Sequence, residues 1–215
     1  MVPVIAIVGR SGVGKTVIME KLITEFKSRG YRVGAVKHSH QTIDLDEPGK
    51  DTWRYSQAGS NAVAISSPLR VTVLTKLDHE PALEETVRLL DDSCDIILAE
   101  GFKDTRVPKI EVCITGKTGD LVCDESDLCA IIARARRRGK KPVFGREDIS
   151  GIADFIEHDI IAAMPADMSV AVNGRNVPLK YFVKDIMASS ILAMLGTLKK
   201  VGIIRTASIH IRRSG

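Results

Sequence analysis

A mostly parallel α/β sheet with helices on both faces, followed by a small α+β module, is the fold class this 215-residue sequence predicts. Three observations carry it. Segments 4–8 and 95–99 are almost unbrokenly apolar and rich in β-branched residues, as strands buried on both faces of a parallel sheet must be. They alternate with segments whose apolar residues recur every three to four positions, the mark of crossover helices. A glycine-rich turn joins the first such strand to the first such helix.

In chain order, strand 4–8 leads into the turn 9–14 and a helix over 15–29. Val17, Ile18, Leu22, Ile23 and Phe26 hold the helical spacing there, and Gly30 stops the helix. A strand follows at 32–37. The stretch 38–51 has no apolar periodicity and contains Pro48-Gly49, so it reads as a long loop, and long loops in compact domains are usually functional. A short helix at 52–58 precedes strands at 62–66 and 71–75. A helix at 81–90 leads to the buried strand 95–99, which ends at Glu100-Gly101. Strands at 109–114 and 128–133 and a closing helix at 149–156 complete a first domain, 1–163.

Met164-Pro165-Ala166-Asp167 marks the boundary with a second unit, 166–215. Its residues 169–172 alternate, Asn173-Gly174 is a strong hairpin signal, and 175–178 can pair back. Large apolar residues then recur at helical spacing over 179–198, and 203–211 reads as a last strand. A ββαβ unit of about fifty residues buries too little surface to stand alone, so it is expected to dock on the first domain or on a second copy.

The hydrophobic fraction of 44% supports a packed core and excludes a disordered chain. No apolar run approaches the ~20 residues of a membrane span. The N-terminal residues enter a strand pattern without a basic leader, so no signal peptide is expected. Cys94, Cys113, Cys123 and Cys129 lack CxxC spacing and read as reduced thiols of a cytoplasmic protein. The net charge of +4 divides into −2 over 1–165 and +6 over 166–215. A basic tail suits nucleic acid or an acidic partner, but this one has no interleaved aromatics and no reader motif, which argues against nucleic acid.

Gly9-Arg10-Ser11-Gly12-Val13-Gly14-Lys15-Thr16 satisfies every required position of the P-loop pattern G-x-x-x-x-G-K-[ST], between a buried strand and a helix start. The glycines let backbone N–H groups form a nest around phosphates, and the helix dipole adds to the attraction. Lys15 is placed for the β/γ-phosphates and the Thr16 hydroxyl for Mg²⁺, with Gly9, Ser11, Gly12, Val13, Gly14 and Val17 completing the expected nucleotide-binding set. The fold is therefore that of a P-loop nucleoside-triphosphate-binding protein. Such a site needs an acid on a neighbouring strand to hold Mg²⁺, directly or through water. Asp95 and Glu100 lie at opposite ends of one strand, roughly 16 Å apart, so one alone can reach the phosphates. Ligands bind at the carboxyl ends of parallel strands, which selects Glu100 and leaves Asp95 as a solvated strand start.

The loop after the second strand rises on the same edge. It carries Lys37, His38, His40, Asp44, Asp46, Glu47, Lys50 and Asp51, the composition of a switch or substrate loop, or of a merely solvated one. His38 and His40 could chelate a metal but make only half a site. Thr75-Lys76-Leu77-Asp78 imitates the guanine-reading [NT]KxD of other GTPases, yet it precedes the Glu100 strand where theirs follows; it reads as a base reader or as a strand-to-helix turn.

These motifs, in order, resemble the MobB family of GTP-binding proteins over about residues 2–160. The P-loop is generic. Val36-Lys37-His38-Ser39-His40, then Asp46-Glu47-Pro48-Gly49-Lys50-Asp51-Thr52 with Arg54 and Ala58-Gly59, Glu100-Gly101-Phe102-Lys103, and Pro108-Lys109-Ile110-Glu111-Val112 are more specific. The resemblance implies a homodimer that binds GTP with Mg²⁺, hydrolyses it slowly, and works beside the guanylyltransferase MobA, which attaches GMP to molybdopterin. It implies that Lys15 and Asp46 act on the phosphates, that Thr16 and Glu100 hold the metal, and that Lys37, Lys50, Asp51 and Lys103 line the nucleotide site. Two departures stand out: six basic residues in the eight from Arg134 to Lys141, where the family tends toward an acid, and the extra unit 166–215. GTP rests on the resemblance rather than on a base-reading motif. A metal-delivery GTPase of the urease or hydrogenase type would share the P-loop but want a paired Cys/His site. A small-molecule kinase could use Lys37 and Asp46, though nothing names an acceptor.

Overall fold

The computed structural model describes residues 2–39, 41, 46–90, 93–115, 118–134, 141–163, 168, 170–172, 175–177, 179–199, 204, 207 and 209. His40, Asp44, the boundary 164–167, the Asn173-Gly174 turn, and most of both the basic run 134–141 and the expected strand 203–211 lie outside the described residues.

Six strands form one all-parallel sheet in the order β2-β5-β1-β6-β7-β8. These are β1 (Val4–Val8), β2 (Val33–Lys37), β5 (Ile96–Glu100), β6 (Lys109–Val112), β7 (Leu128–Ile132) and β8 (Val143–Phe144). Strand alternation sorts the core into two faces. Ile5, Ile7, Ile96, Leu98, Ile110, Val112, Ala130 and Ile132 pack under Ile18, Leu22 and Phe26 of α1 (Lys15–Ser28) and Ile152 and Ile156 around α4 (Ile149–Phe155). On the opposite face, Val4, Val36, Ile97 and Ala99 meet Leu83 and Val87 of α3 (Leu83–Arg88). Further along that face, Ala6, Val8 and Ile131 are covered by Leu121 and Cys123. The expected fold class holds, helices on both faces included.

Helix α1 ends as its sequence dictates. Gly30 sits at φ +82, its N–H reaches the Lys27 carbonyl at 3.0 Å, and the Tyr31 N–H reaches the Phe26 carbonyl at 3.0 Å, a Schellman closure. Arg29 then ties α1 to α4 and its continuation: it meets Glu25 Oε1 and Asp154 Oδ1 at 2.7 Å each, and Glu157 Oε2 at 2.5 Å. Burial alone pulls this guanidinium's pKa down, but its bonds to Glu25, Asp154 and Glu157 outweigh that and leave it raised. The closing helix runs further than expected, through a π-helical stretch, Ile156–Ile161.

Two expectations change. The strands near 62–66 and 71–75 are not part of the main sheet. They are β3 (Ala62–Ser67) and β4 (Arg70–Thr75), an antiparallel hairpin of its own that follows α2 (Asp51–Gln57). Most of its apolar residues face outward, with Leu69 at the tip 99% exposed and Val71 65%, while Val63 is buried. Conversely, β8 went unrecognised because two residues carry no periodicity. Further along the chain, β9 (Val170–Val172) and β10 (Arg175–Val177) pair as an antiparallel hairpin, and α5 (Tyr181–Gly196) follows. Among the described residues, no helix is long and apolar enough to cross a membrane.

Candidate nucleotide-binding site

The turn after β1 is shaped by glycines that no other residue can replace. Gly9 sits at φ +139, and a Cβ there would stand 2.3 Å from the Val112 carbonyl oxygen. Gly14, at φ +94, opens α1 in the left-handed region. Lys15 arches back over the turn, its Nζ donating to the carbonyls of Gly9 at 3.0 Å and Arg10 at 2.9 Å. Ser11 and Val17 are exposed at the rim, while Val13 is buried as the loop's anchor. Arg10 donates to the Gly119 carbonyl at 3.2 Å, bracing the outer side of the turn.

Sheet register supplies the acid. β5 pairs on one side with β1, Ile7 opposite Glu100, and on the other with β2, Lys37 opposite Glu100. The Thr16 hydroxyl donates to Glu100 Oε2 at 3.1 Å, and Lys37 Nζ lies 3.7 Å from Glu100 Oε1. Asp95 stands at the other end of the strand, accepting from the Arg32 backbone N–H and from Arg32 Nη2 at 2.8 Å each. It is an ion-paired anchor rather than the solvated strand start that the sequence suggests.

Beyond Glu100 the chain takes two successive left-handed residues, Gly101 at φ +95 and Phe102 at φ +58. A non-glycine residue in that region costs roughly 1–3 kcal/mol and tends to sit at functional turns. The Phe102 ring packs 4.9 Å from that of His38, whose Nε2 lies 3.5 Å from Glu80 Oε1, and Lys103 is exposed just past the turn. Nothing in the sequence pattern announces this strained phenylalanine.

The loop acids keep close company with their own segment. Asp46 Oδ1 accepts from the Thr52 hydroxyl at 2.8 Å and the Glu47 N–H at 3.0 Å, ordering the entry to α2. Lys50 Nζ lies 3.8 Å from Glu47 Oε2, and Asp51 Oδ1 lies 3.9 Å from Arg54 Nη1. Residues 42–45, which join this loop to β2, lie outside the described residues. Among the described residues no His/Cys/Asp/Glu cluster suits a metal, and none of the four cysteines is in a disulfide. Thr75-Lys76-Leu77-Asp78 ends the separate hairpin, and Asp78 pairs with His79 at 2.9 Å; it is a turn, not a rim of the main sheet.

Glu111 on β6 is a buried carboxylate that sequence reasoning did not assign. Its two oxygens accept from the Val122 N–H at 2.6 Å and the Cys123 N–H at 3.1 Å. Burial raises its pKa, against the opposing pull of those N–H groups and of Arg10. On the β8 flank a cleft of about 590 Å³ opens beside Gly14, Val17 and Lys21, walled by Arg134, Arg146 and Asp148. Arg146 was also missed: its place at the carboxyl edge is visible only once β8 is known.

A parallel sheet whose central strand feeds a glycine nest, a lysine and a helix start defines a P-loop protein. The family model for molybdopterin guanine dinucleotide synthesis protein B, MobB, matches residues 4–134. The molybdopterin-guanine dinucleotide biosynthesis adapter protein of Haemophilus influenzae is 34% identical over 158 residues, spanning 73% of this chain and 89% of that protein. The chain belongs to the MobB family. A putative adapter protein of the same description from Methanocaldococcus jannaschii is 24% identical over 97% of both chains, and so takes in most of 166–215. The crystal structure of Bacillus subtilis MobB shares the fold, with a TM-score of 0.60 at 24% identity, over 73% of this chain and 96% of that one.

Proposed function

We propose that this protein is a GTP-binding adapter of molybdenum-cofactor guanylation. In this reading it holds GTP with Mg²⁺ at the P-loop, turns it over slowly, and acts as a homodimer beside a MobA-like guanylyltransferase that attaches GMP to molybdopterin. The observation that carries the nucleotide part is the conjunction of the Gly9–Thr16 nest with Glu100, 3.1 Å from the Thr16 hydroxyl. A hydroxyl and a carboxylate are the hard oxygen donors that Mg²⁺ prefers. When bound, the metal would neutralise charge on the β- and γ-phosphates.

Lys15 would exchange its carbonyl partners for phosphate oxygens, and Lys37 would add charge beside Glu100. Lys103, Lys50 and Asp51 belong to the outer wall in this reading, with Asp46 as the loop acid nearest the chemistry. The outward apolar hairpin β3–β4 supports the homodimer, since exposed apolar patches of this kind mark interfaces. The division into 1–163 and 166–215 is part of the same proposal.

Isothermal titration with GTP, GDP and ATP in the presence of Mg²⁺ tests it. Lys15→Ala is expected to weaken triphosphate binding by about tenfold or more, because it deletes the main cation at the phosphates. Unchanged affinity in that variant removes the P-loop from the argument, and a preference for ATP removes guanylation.

A further inference from the structure

The site has a direction. Thr16 and Glu100 lie on the β5 flank of the P-loop, so terminal phosphates and metal held there put the nucleoside on the other flank, where β6, β7 and β8 end. That flank carries the cleft of about 590 Å³, a size suited to a small ligand.

Guanine differs from adenine on two edges. Its N1–H and 2-amino group ask for a carboxylate, whereas O6 and N7 accept from paired donors such as a guanidinium. Adenine presents an amino group at C6 and cannot accept there. The cleft's two carboxylates are already engaged. Glu147 Oε2 lies 2.5 Å from Lys21 Nζ, and Asp148 caps α4 by accepting from the Gly151 N–H at 3.2 Å.

The donors are arginines. Arg146 Nη2 donates to the Cys113 carbonyl at 3.0 Å, which pins the guanidinium across the end of β6. Its Nη1 lies 3.2 Å from where a Cβ on Gly14 would stand, so it borders the phosphate nest itself. Its Nε is buried without a hydrogen-bond partner. Arg134, exposed just past β7, adds a second cation to the wall.

We infer that the purine base is read on its O6/N7 edge by Arg146, with no carboxylate on its N1–H and 2-amino group. The site therefore selects 6-oxopurine nucleotides as a class, rather than guanine alone. This rests on the proposed binding of GTP at the P-loop, and the test separates the two.

GTP, ITP and ATP are titrated with Mg²⁺ against the unmodified chain and Arg146→Ala. Inosine keeps O6 and N7 but lacks the 2-amino group, so ITP is expected to bind within about threefold of GTP, with ATP weaker by about tenfold or more. Arg146→Ala is expected to bring GTP and ATP within about threefold of each other. ITP weaker than GTP by about tenfold overturns the inference while leaving GTP binding intact. ATP equal to GTP on the unmodified chain overturns the guanine reading beneath it. Full discrimination retained by a folded Arg146→Ala overturns the assignment to Arg146. Should circular dichroism show that variant unfolded, Arg146→Lys replaces it: a single ammonium cannot make the paired contact, and the GTP/ATP ratio should fall there too.

Discussion

Lys15 donates to two carbonyls of its own turn, so a phosphate competes for a cation already held in place rather than for a free side chain. The two acids of β5 show how strand polarity divides labour at the level of single residues. Glu100→Gln is expected to weaken Mg²⁺-dependent nucleotide binding, with little effect on melting temperature, because its oxygens face Thr16 and Lys37. Asp95→Asn should do the reverse. It loses charge from the Arg32 pair, which includes a backbone N–H, and lowers the melting temperature while leaving Mg²⁺-dependent binding nearly intact. Calorimetric melts and titrations on both variants check this, and equal losses of binding would show the strand polarity to be misassigned. These residues were legible because a motif and a strand direction suffice to place them. Arg146 and the left-handed Phe102 were not: one depends on strand order, the other on a backbone angle no side chain encodes.

Among the elements, α1 and its glycine stop followed from periodicity and end chemistry, and the Schellman closure at Gly30 matches the expectation in detail. What periodicity could not show was how α1 is fastened to α4. Arg29 alone faces three carboxylates there, of which Glu157 and Glu25 are mostly buried, with side chains 20% and 28% exposed. Arg29→Ala strands both, and is expected to cost about 2–3 kcal/mol in denaturant unfolding, somewhat less than a fully buried pair would. Glu25→Gln should cost less, since two other carboxylates still satisfy Arg29. A loss below about 0.5 kcal/mol for Arg29→Ala would place this cluster among ordinary surface pairs. The hairpin β3–β4 was legible as strands but not as a separate sheet, because alternation tells which residues share a face and not what covers that face.

For the molecule as a whole, the sequence foretold the parallel sheet but neither the hairpin's separation nor the sixth strand. The hairpin and helix expected after residue 168 are present as β9, β10 and α5, and α5 leaves Phe182 71% and Met194 62% exposed. Apolar exposure of that extent asks for a covering surface. A chain ending at residue 163 is expected to keep nucleotide affinity while losing oligomer mass or thermal stability, measured by light scattering and calorimetry. Truncated and full chains that agree in both would make 166–215 an independent domain with a separate task.

The position of β1 at the middle of its sheet has a consequence for the order of events at the ribosome. Val4 pairs with Ile97 and Ala6 with Lys109, so the strand bearing the phosphate turn has no neighbour until the first of those later strands has emerged, and lacks its second until the other follows. At about 5–20 residues per second, translation leaves that strand waiting several seconds or more. The first-made part of the nucleotide site is thus among the last to be set. The closure entropy of these long loops must be met before parallel pairing repays it, which makes this a slow-folding sheet.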